Sequence, residues 1–171
     1  SPMRMERGLL KAGAAEAPPE GVVLKGVDPA TAASTSSLFE TTKPIAVSAL
    51  REGEILVGQE LAERLSLRVG DPVTVAFMRL ELGLSGVQPK FGVFRIAGIF
   101  HSHISEYDRS WAFIHLADAQ RIARAEGPEF LEVRASRLEA IDEVKARALK
   151  ALGPGWLSSD LRETNKQLFA A

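Results

Sequence analysis

The stretch from Gly70 to Phe100 limits the fold more than any other part of the chain. Gly70-Asp71 is a turn signal. After it, Val73, Val75 and Phe77 alternate with Thr74, Ala76 and Met78, the period of a strand buried on one face. A second run, Phe91 to Phe100, is rich in Phe, Val and Ile. Together the two runs predict a long hairpin. Their connection, Glu81 to Lys90, carries Gly83, Gly86 and Pro89, yet displays Leu82, Leu84 and Val87 where a solvated loop is ordinarily polar. Such a tip either folds back on its own domain or is held for a partner. Strand edges beside it would offer backbone hydrogen bonds to another sheet.

Shorter elements surround the hairpin. Glu54 to Val57 reads as a strand. Leu61, Ala62 and Leu65 fall at helical spacing and predict a brief helix over Gly58 to Leu65. Trp111 to Leu116 is a further strand, followed by a helix over Ala117 to Ala125. Near the start, Met5, Leu9 and Leu10 suggest a short strand or helix. A loop at Pro18-Pro19 then leads to a buried strand, Val22 to Leu24, ending at Gly26. Asp28 to Thr42 holds seven Ser or Thr residues and reads as a linker or mobile loop. One helical turn is expected after Asp28-Pro29, where Asp caps and Pro opens a helix.

The last third has a different pattern. Phe130 to Ala135 alternates as a strand, and Ser136 with Glu139 has capping-box spacing. Leu138, Ile141, Val144, Ala148, Leu149 and Leu152 keep helical period until Gly153-Pro154 stops them. Trp156-Leu157 reads as a short strand, so a right-handed strand–helix–strand crossover is the natural arrangement. Asp160 to Ala171 is helix-compatible and ends in mid-pattern. With no initiator Met and a Ser1-Pro2-Met3 start, the chain is expected to be a domain of something longer. The fold class is α+β.

Composition removes several functions. A net charge of -1 leaves no basic surplus for gripping phosphate backbones, so nucleic acid is not an expected partner. The absence of Cys excludes thiolate zinc sites and Cys nucleophiles. No apolar run approaches the roughly 18 residues that span a bilayer.

The remaining chemistry is sparse. His101-Ser102-His103 would place two imidazoles on one strand face, with Glu106, Asp108 and His115 nearby in sequence. The bland reading, a strand end entering a polar loop, is preferred to a metal site. Ser102 or Ser105 with His103 and Asp108 could be imagined as a hydrolytic set, but no nucleophile-elbow sequence is present. Gly83-Leu84-Ser85-Gly86 lacks the Lys of a phosphate loop and lies between strands. Glu52 with Glu54, and Glu60 with Glu63, fit a solvated face. No catalytic residue, cofactor or metal is expected.

The order of the motifs resembles the extracytoplasmic domain of the LolC/LolE permease family, the membrane subunits of lipoprotein-releasing ABC transporters. The resemblance rests on residues 21–29 (Gly-Val-Val-Leu-Lys-Gly-Val-Asp-Pro), 55–62 (Ile-Leu-Val-Gly-Gln-Glu-Leu-Ala) and 67–73 (Leu-Arg-Val-Gly-Asp-Pro-Val). It continues through 94–100 (Phe-Arg-Ile-Ala-Gly-Ile-Phe), Glu106-Tyr107-Asp108 and 116–120 (Leu-Ala-Asp-Ala-Gln). Asn165-Lys166-Gln167-Leu168-Phe169 is similar to the point where these permeases re-enter the membrane.

The resemblance implies an inner-membrane protein with this domain in the periplasm, between its first two transmembrane helices. It implies a porter-like α/β part from residues 1–43 with 128–171, and an inserted, mostly β, sabre-like part from 44–127. The implied partners are a LolA-like periplasmic lipoprotein carrier, lipoproteins, a second permease subunit and a cytoplasmic ATPase. A hook-like hairpin would touch the carrier through Leu82, Gly83, Leu84, Ser85, Gly86, Val87, Gln88 and Pro89. The alternatives are a MacB-type efflux permease or, from a different class, a small metal-dependent hydrolase using His101, His103 and Asp108.

Overall fold

In the computed structural model, residues 1–12, 18–79 and 88–164 are described. Strands β1 (Pro2–Ala12) and β2 (Glu20–Val27) pair antiparallel, from Met3 opposite Val27 to Leu10 opposite Glu20. Helix α1 (Pro29–Thr35) starts as Asp28-Pro29 requires, with the Asp28 carboxylate accepting the Ala30 amide at 3.1 Å.

Residues 28–42 differ from the linker that their composition suggests. Their hydroxyls bond locally: Thr31 to the Asp28 carboxylate at 2.8 Å, and Ser34 to the Thr31 carbonyl at 2.7 Å. Ala32 and Phe39 are meanwhile buried in the core. Thr41 Oγ1 donates to the His101 carbonyl at 2.6 Å, which ties the segment's end to a residue sixty positions away.

Then follow β3 (Glu54–Gly58), α2 (Gln59–Arg64), β4 (Pro72–Arg79), β5 (Gln88–Phe100), α3 (Ser105–Ser110), β6 (Trp111–His115), α4 (Leu116–Ala123) and β7 (Phe130–Leu131). The sheet order is β2-β6-β3-β5-β4-β1-β7. Because β1 also pairs with β2, six strands close into a ring, and β7 adds to the start of β1. Strands β3 and β5 run parallel, as do β2 and β6; the other pairs are antiparallel.

Alternation along each strand separates two cores. Leu10, Leu24, Ile55, Val57, Val73, Val75, Ile96 and Ile114 turn to one face, packed with Leu61 and Ala62 of α2 and Ala119 of α4. Val27, Leu56, Phe100 and Phe113 turn to the other, beneath Ala32, Phe39, Val47 and Leu50. Phe113 meets Phe39 and Phe100 edge-on, at 4.8 and 5.1 Å between ring centroids. Covered on both faces, β3 carries the unbroken apolar run Ile55-Leu56-Val57 instead of an alternating one.

The chain divides into two compact units, Ser1–Val133 and Arg134–Ala171. In the second, α5 (Ile141–Leu152) ends at Gly153, whose φ of 80° provides the expected stop. Helix α6 (Leu161–Thr164) follows. Between them, Lys145 Nζ reaches Asp160 at 3.1 Å and Glu163 at 2.6 Å, and Arg162 reaches Asp142 at 2.5 Å and Asp160 at 2.9 Å.

Three expectations for this region are corrected. The capping box does not form: Leu138–Ala140 makes a 3₁₀ turn that takes in Glu139, and Ala140 becomes the N-cap of α5 with no side-chain bond. The strand at Phe130 is two residues long, because β1 presents only Pro2 and Met3 to it. Trp156-Leu157 is not a strand, and Leu157 is 97% exposed, so no crossover is completed among the described residues.

Candidate functional site

Strands β4 and β5 form the expected hairpin, paired from Pro72 opposite Arg95 to Arg79 opposite Gln88. Leu82, Gly83, Leu84, Ser85, Gly86 and Val87, named for the tip, lie outside the described residues. Gln88 and Pro89 belong to the backbone of β5, opposite Arg79 and Met78, so the ladder continues beyond the expected start at Phe91.

The stem has two unlike faces. Val73, Val75, Phe77 and Phe94 point into the ring and are buried. Phe91 and Val93 point outward and are 67% and 69% exposed. Register aligns Leu9, Ala76 and Phe91 in one row across three strands, with Lys11, Thr74 and Val93 in the next. Leu9 is also exposed. Residues 28–50 cover the sheet over β3 and β6 but leave this apolar row open.

A cleft of about 680 Å³ lies between β5 and α4. Phe77, Phe94 and Ile122 contribute apolar walls; Glu52, Lys90, Arg121 and Arg124 contribute charge. Asp118 accepts the Gly53 amide at 2.8 Å and pairs with Arg121, and Arg121 lies 3.7 Å from Glu52. Sequence reasoning missed this cleft. Glu52 and Arg121 are far apart in the chain, and only the packing of α4 against the ring brings them together. On the opposite side, Lys25 stands 5.2 Å over the Trp111 ring. Burial pushes its ammonium below the usual lysine range, and the Glu132 carboxylate opposes that shift.

The structure brings His101, His103 and Asp108 close together in a particular way. Asp108 is buried in α3, a helix without a sequence signal, since its N-cap Ile104 makes no side-chain bond. The Asp108 carboxylate accepts the Ser102 amide at 2.7 Å and lies 2.9 Å from His101 Nδ1. The His103 ring packs edge-on against His101 at 4.2 Å. His115 instead caps α4, its Nδ1 accepting the Ala117 amide at 3.2 Å. Among the described residues no three His, Asp or Glu side chains are placed to hold a metal ion. Ser105 donates to Glu60 at 2.7 Å and Ser102 to the Ile104 carbonyl at 3.1 Å, so neither hydroxyl is aimed at an imidazole. The cluster is a loop clasp that fixes the exit of β5.

No family model matches the chain. Over 152 residues it is 29% identical to the lipoprotein-releasing system transmembrane protein LolC of Xylella fastidiosa (strain Temecula1 / ATCC 700964), a match covering 87% of this chain and 37% of the relative. The protein of the same name from Neisseria meningitidis serogroup B is 34% identical over 100 residues, covering 58% and 23% of the two chains. The match therefore spans little more than a third of the Xylella relatives and less than a quarter of the Neisseria one. Among solved structures, the periplasmic region of MacB from Actinobacillus actinomycetemcomitans shares the fold. Its TM-score is 0.54 at 8% identity, over 88% of this chain and 65% of that one. Among the described residues no helix is long and apolar enough to cross a membrane. The resemblance read from the motifs holds: the chain is similar in sequence to LolC and in fold to the periplasmic region of MacB.

Proposed function

We propose that this chain is the periplasmic domain of the permease subunit of an ABC transporter that releases lipoproteins from the inner membrane, and that it docks a LolA-like carrier or the lipoprotein through the β4–β5 hairpin. The carrying observation is the hairpin itself. Its ladder continues past the β1–β4 pairing at Met78–Pro89 and Arg79–Gln88, and its stem exposes Phe91 and Val93 close in sequence to the segment from Leu82 to Pro89. An exposed apolar row across β1, β4 and β5, at the base of the hairpin, suits capture of a partner that presents its own apolar surface. The matches to LolC support the transport setting.

The domain is noncatalytic in this reading. ATP-driven movement arises in other subunits, and reaches this domain through membrane helices flanking it in the parent protein. Nucleotide state biases the domain only by the free energy that distinguishes its conformations.

The test is a pull-down of a purified LolA-like carrier by the wild-type domain and by a Leu84→Asp, Val87→Asp double variant. Capture by the wild type and loss in the variant, with unchanged melting temperature, supports docking. Equal capture rejects it.

A further inference from the structure

Strand β1 turns Met5, Arg7, Leu9 and Lys11 outward, and all four are exposed, while Leu10 and Ala12 between and beyond them enter the core. Register carries this outward face across two more strands, through the Leu9–Ala76–Phe91 row and the Lys11–Thr74–Val93 row. Met5, Leu9, Phe91 and Val93 give it exposed apolar tips. Its charges are of one sign. Among the described residues neither Arg7 nor Lys11 has a side-chain hydrogen bond or ion pair. Glu6, the acidic residue of β1, turns inward and lies 3.8 Å from Arg4. Strands β4 and β5 contain no Asp or Glu. Arg95 is a further outward cation but already donates to the Gly70 carbonyl at 2.9 Å, so the argument rests on Arg7 and Lys11.

We infer that the outward face of β1, β4 and β5 binds an anionic lipid surface, with Leu9, Phe91 and Val93 entering the acyl boundary and Arg7 and Lys11 meeting headgroup phosphates. Apolar burial and attraction of cations to anionic headgroups act together in such binding. The spacing suits it. Arg7 and Lys11 each stand two residues from Leu9, about 7 Å along the strand, so their long stems can reach headgroup oxygens while Leu9 goes deeper. No neighbour fixes either cation in one geometry, which suits phosphates that are abundant and mobile. Shape bears on the choice as well. These are three consecutive strands of a closed six-stranded ring, so their outward side chains fan apart and the face is convex. A fluid bilayer closes around a convex face. A second copy would bring the same convex face, with no carboxylate on it to answer Arg7 or Lys11. The inference does not depend on carrier docking, and its test contains no carrier; carrier and lipid would use the apolar row in turn.

The experiment is flotation of the whole domain with phosphatidylcholine vesicles, and with vesicles of phosphatidylcholine and phosphatidylglycerol in equal parts. Binding to the anionic vesicles alone, weakening as salt rises, is expected. An Arg7→Glu, Lys11→Glu double variant should lower the affinity about tenfold or more, and Phe91→Ser should lower it likewise. Arg147→Glu with Lys150→Glu alters the net charge equally at exposed positions of α5 and should keep binding. All the altered side chains are exposed, so melting temperatures should stay close to the parent's. Equal binding to the two kinds of vesicle, or binding to neither, overturns the inference. So does an equal loss in the Arg147, Lys150 variant, which would make net charge and not this face responsible. Self-association of the free domain that Leu9→Asp abolishes would place a second copy on the face and overturn it as well.

Discussion

Gly58 lies against the backbone of Asp108 so closely that a Cβ added to it would stand 2.3 Å from the Asp108 carbonyl oxygen. The contact joins the end of β3 to α3, and the obstructing atoms are main chain, which cannot swing aside. Gly58→Ala should therefore destabilise the domain by about 2 kcal/mol or more, a fall of several degrees in melting temperature. Gly21→Ala is the control. It meets nothing within 4 Å, and its melting temperature should match the parent's or exceed it slightly.

Asp108 itself holds the loop after β5 by accepting the Ser102 amide and approaching His101. Asp108→Ala leaves the Ser102 amide without its acceptor and should cost about 1–3 kcal/mol in denaturant unfolding. Asp108→Asn keeps an acceptor oxygen of the same shape and should cost clearly less. A cost for Asn equal to that for Ala would show that the hydrogen bond to Ser102 is not what stabilises the loop.

Phe91 and Phe94 lie three residues apart on β5 but face opposite ways. Phe94→Ala empties a packed site in the ring and should cost about 3–5 kcal/mol. Phe91→Ala removes an exposed ring and should change stability by no more than about 0.5 kcal/mol, while reducing binding of an apolar dye. Similar losses for both variants would contradict the outward orientation of Phe91.

Stability of the second unit should respond to acid in a defined window. Arg162, chiefly, holds the Asp160 carboxyl well below the usual carboxylate range, assisted by Lys145 and the amides of Glu163 and Arg162. Arg162 likewise lowers Asp142. A carboxylate with a depressed folded pKa stabilises fully above its unfolded value, about 3.9, and loses that contribution as pH falls toward the folded value. Asp160→Asn should thus reduce the helical signal of α5 equally at pH 7 and pH 5.5. The gap between variant and parent should narrow only below about pH 4.

Features set by neighbouring residues were readable in the sequence. Gly70-Asp71 turns the chain with Gly70 at φ 96°, and the Asp71 carboxylate accepts the Arg68 amide at 2.8 Å; the alternation from Val73 to Phe77 follows directly. Asp28-Pro29 and Gly153 behave as local chemistry dictates. What could not be read depends on partners distant in the chain. The Ser/Thr-rich segment looked like a linker because nothing near it reveals that Phe39 will meet Phe113. Helix α3 has six residues and no capping side chain, so no periodic signal could emerge. For the candidate site, sequence placed the hairpin arm but not the apolar row at its base. That row exists because β1 pairs with β4 in the register that sets Leu9 opposite Ala76, between distant parts of the chain.

The short clasp between β1 and β7 carries a mechanical consequence. Ser1 and Glu132 bond to each other through both backbones, at 2.6 and 2.9 Å, just outside the pairs Pro2–Leu131 and Met3–Phe130. Tension drawing residues 1 and 132 apart would load these bonds in sequence, as in a zipper, instead of sharing the force among them. The clasp would open under a pull that leaves the six-stranded ring intact, so strain transmitted along the polypeptide could be absorbed there before it disturbed the hairpin arm.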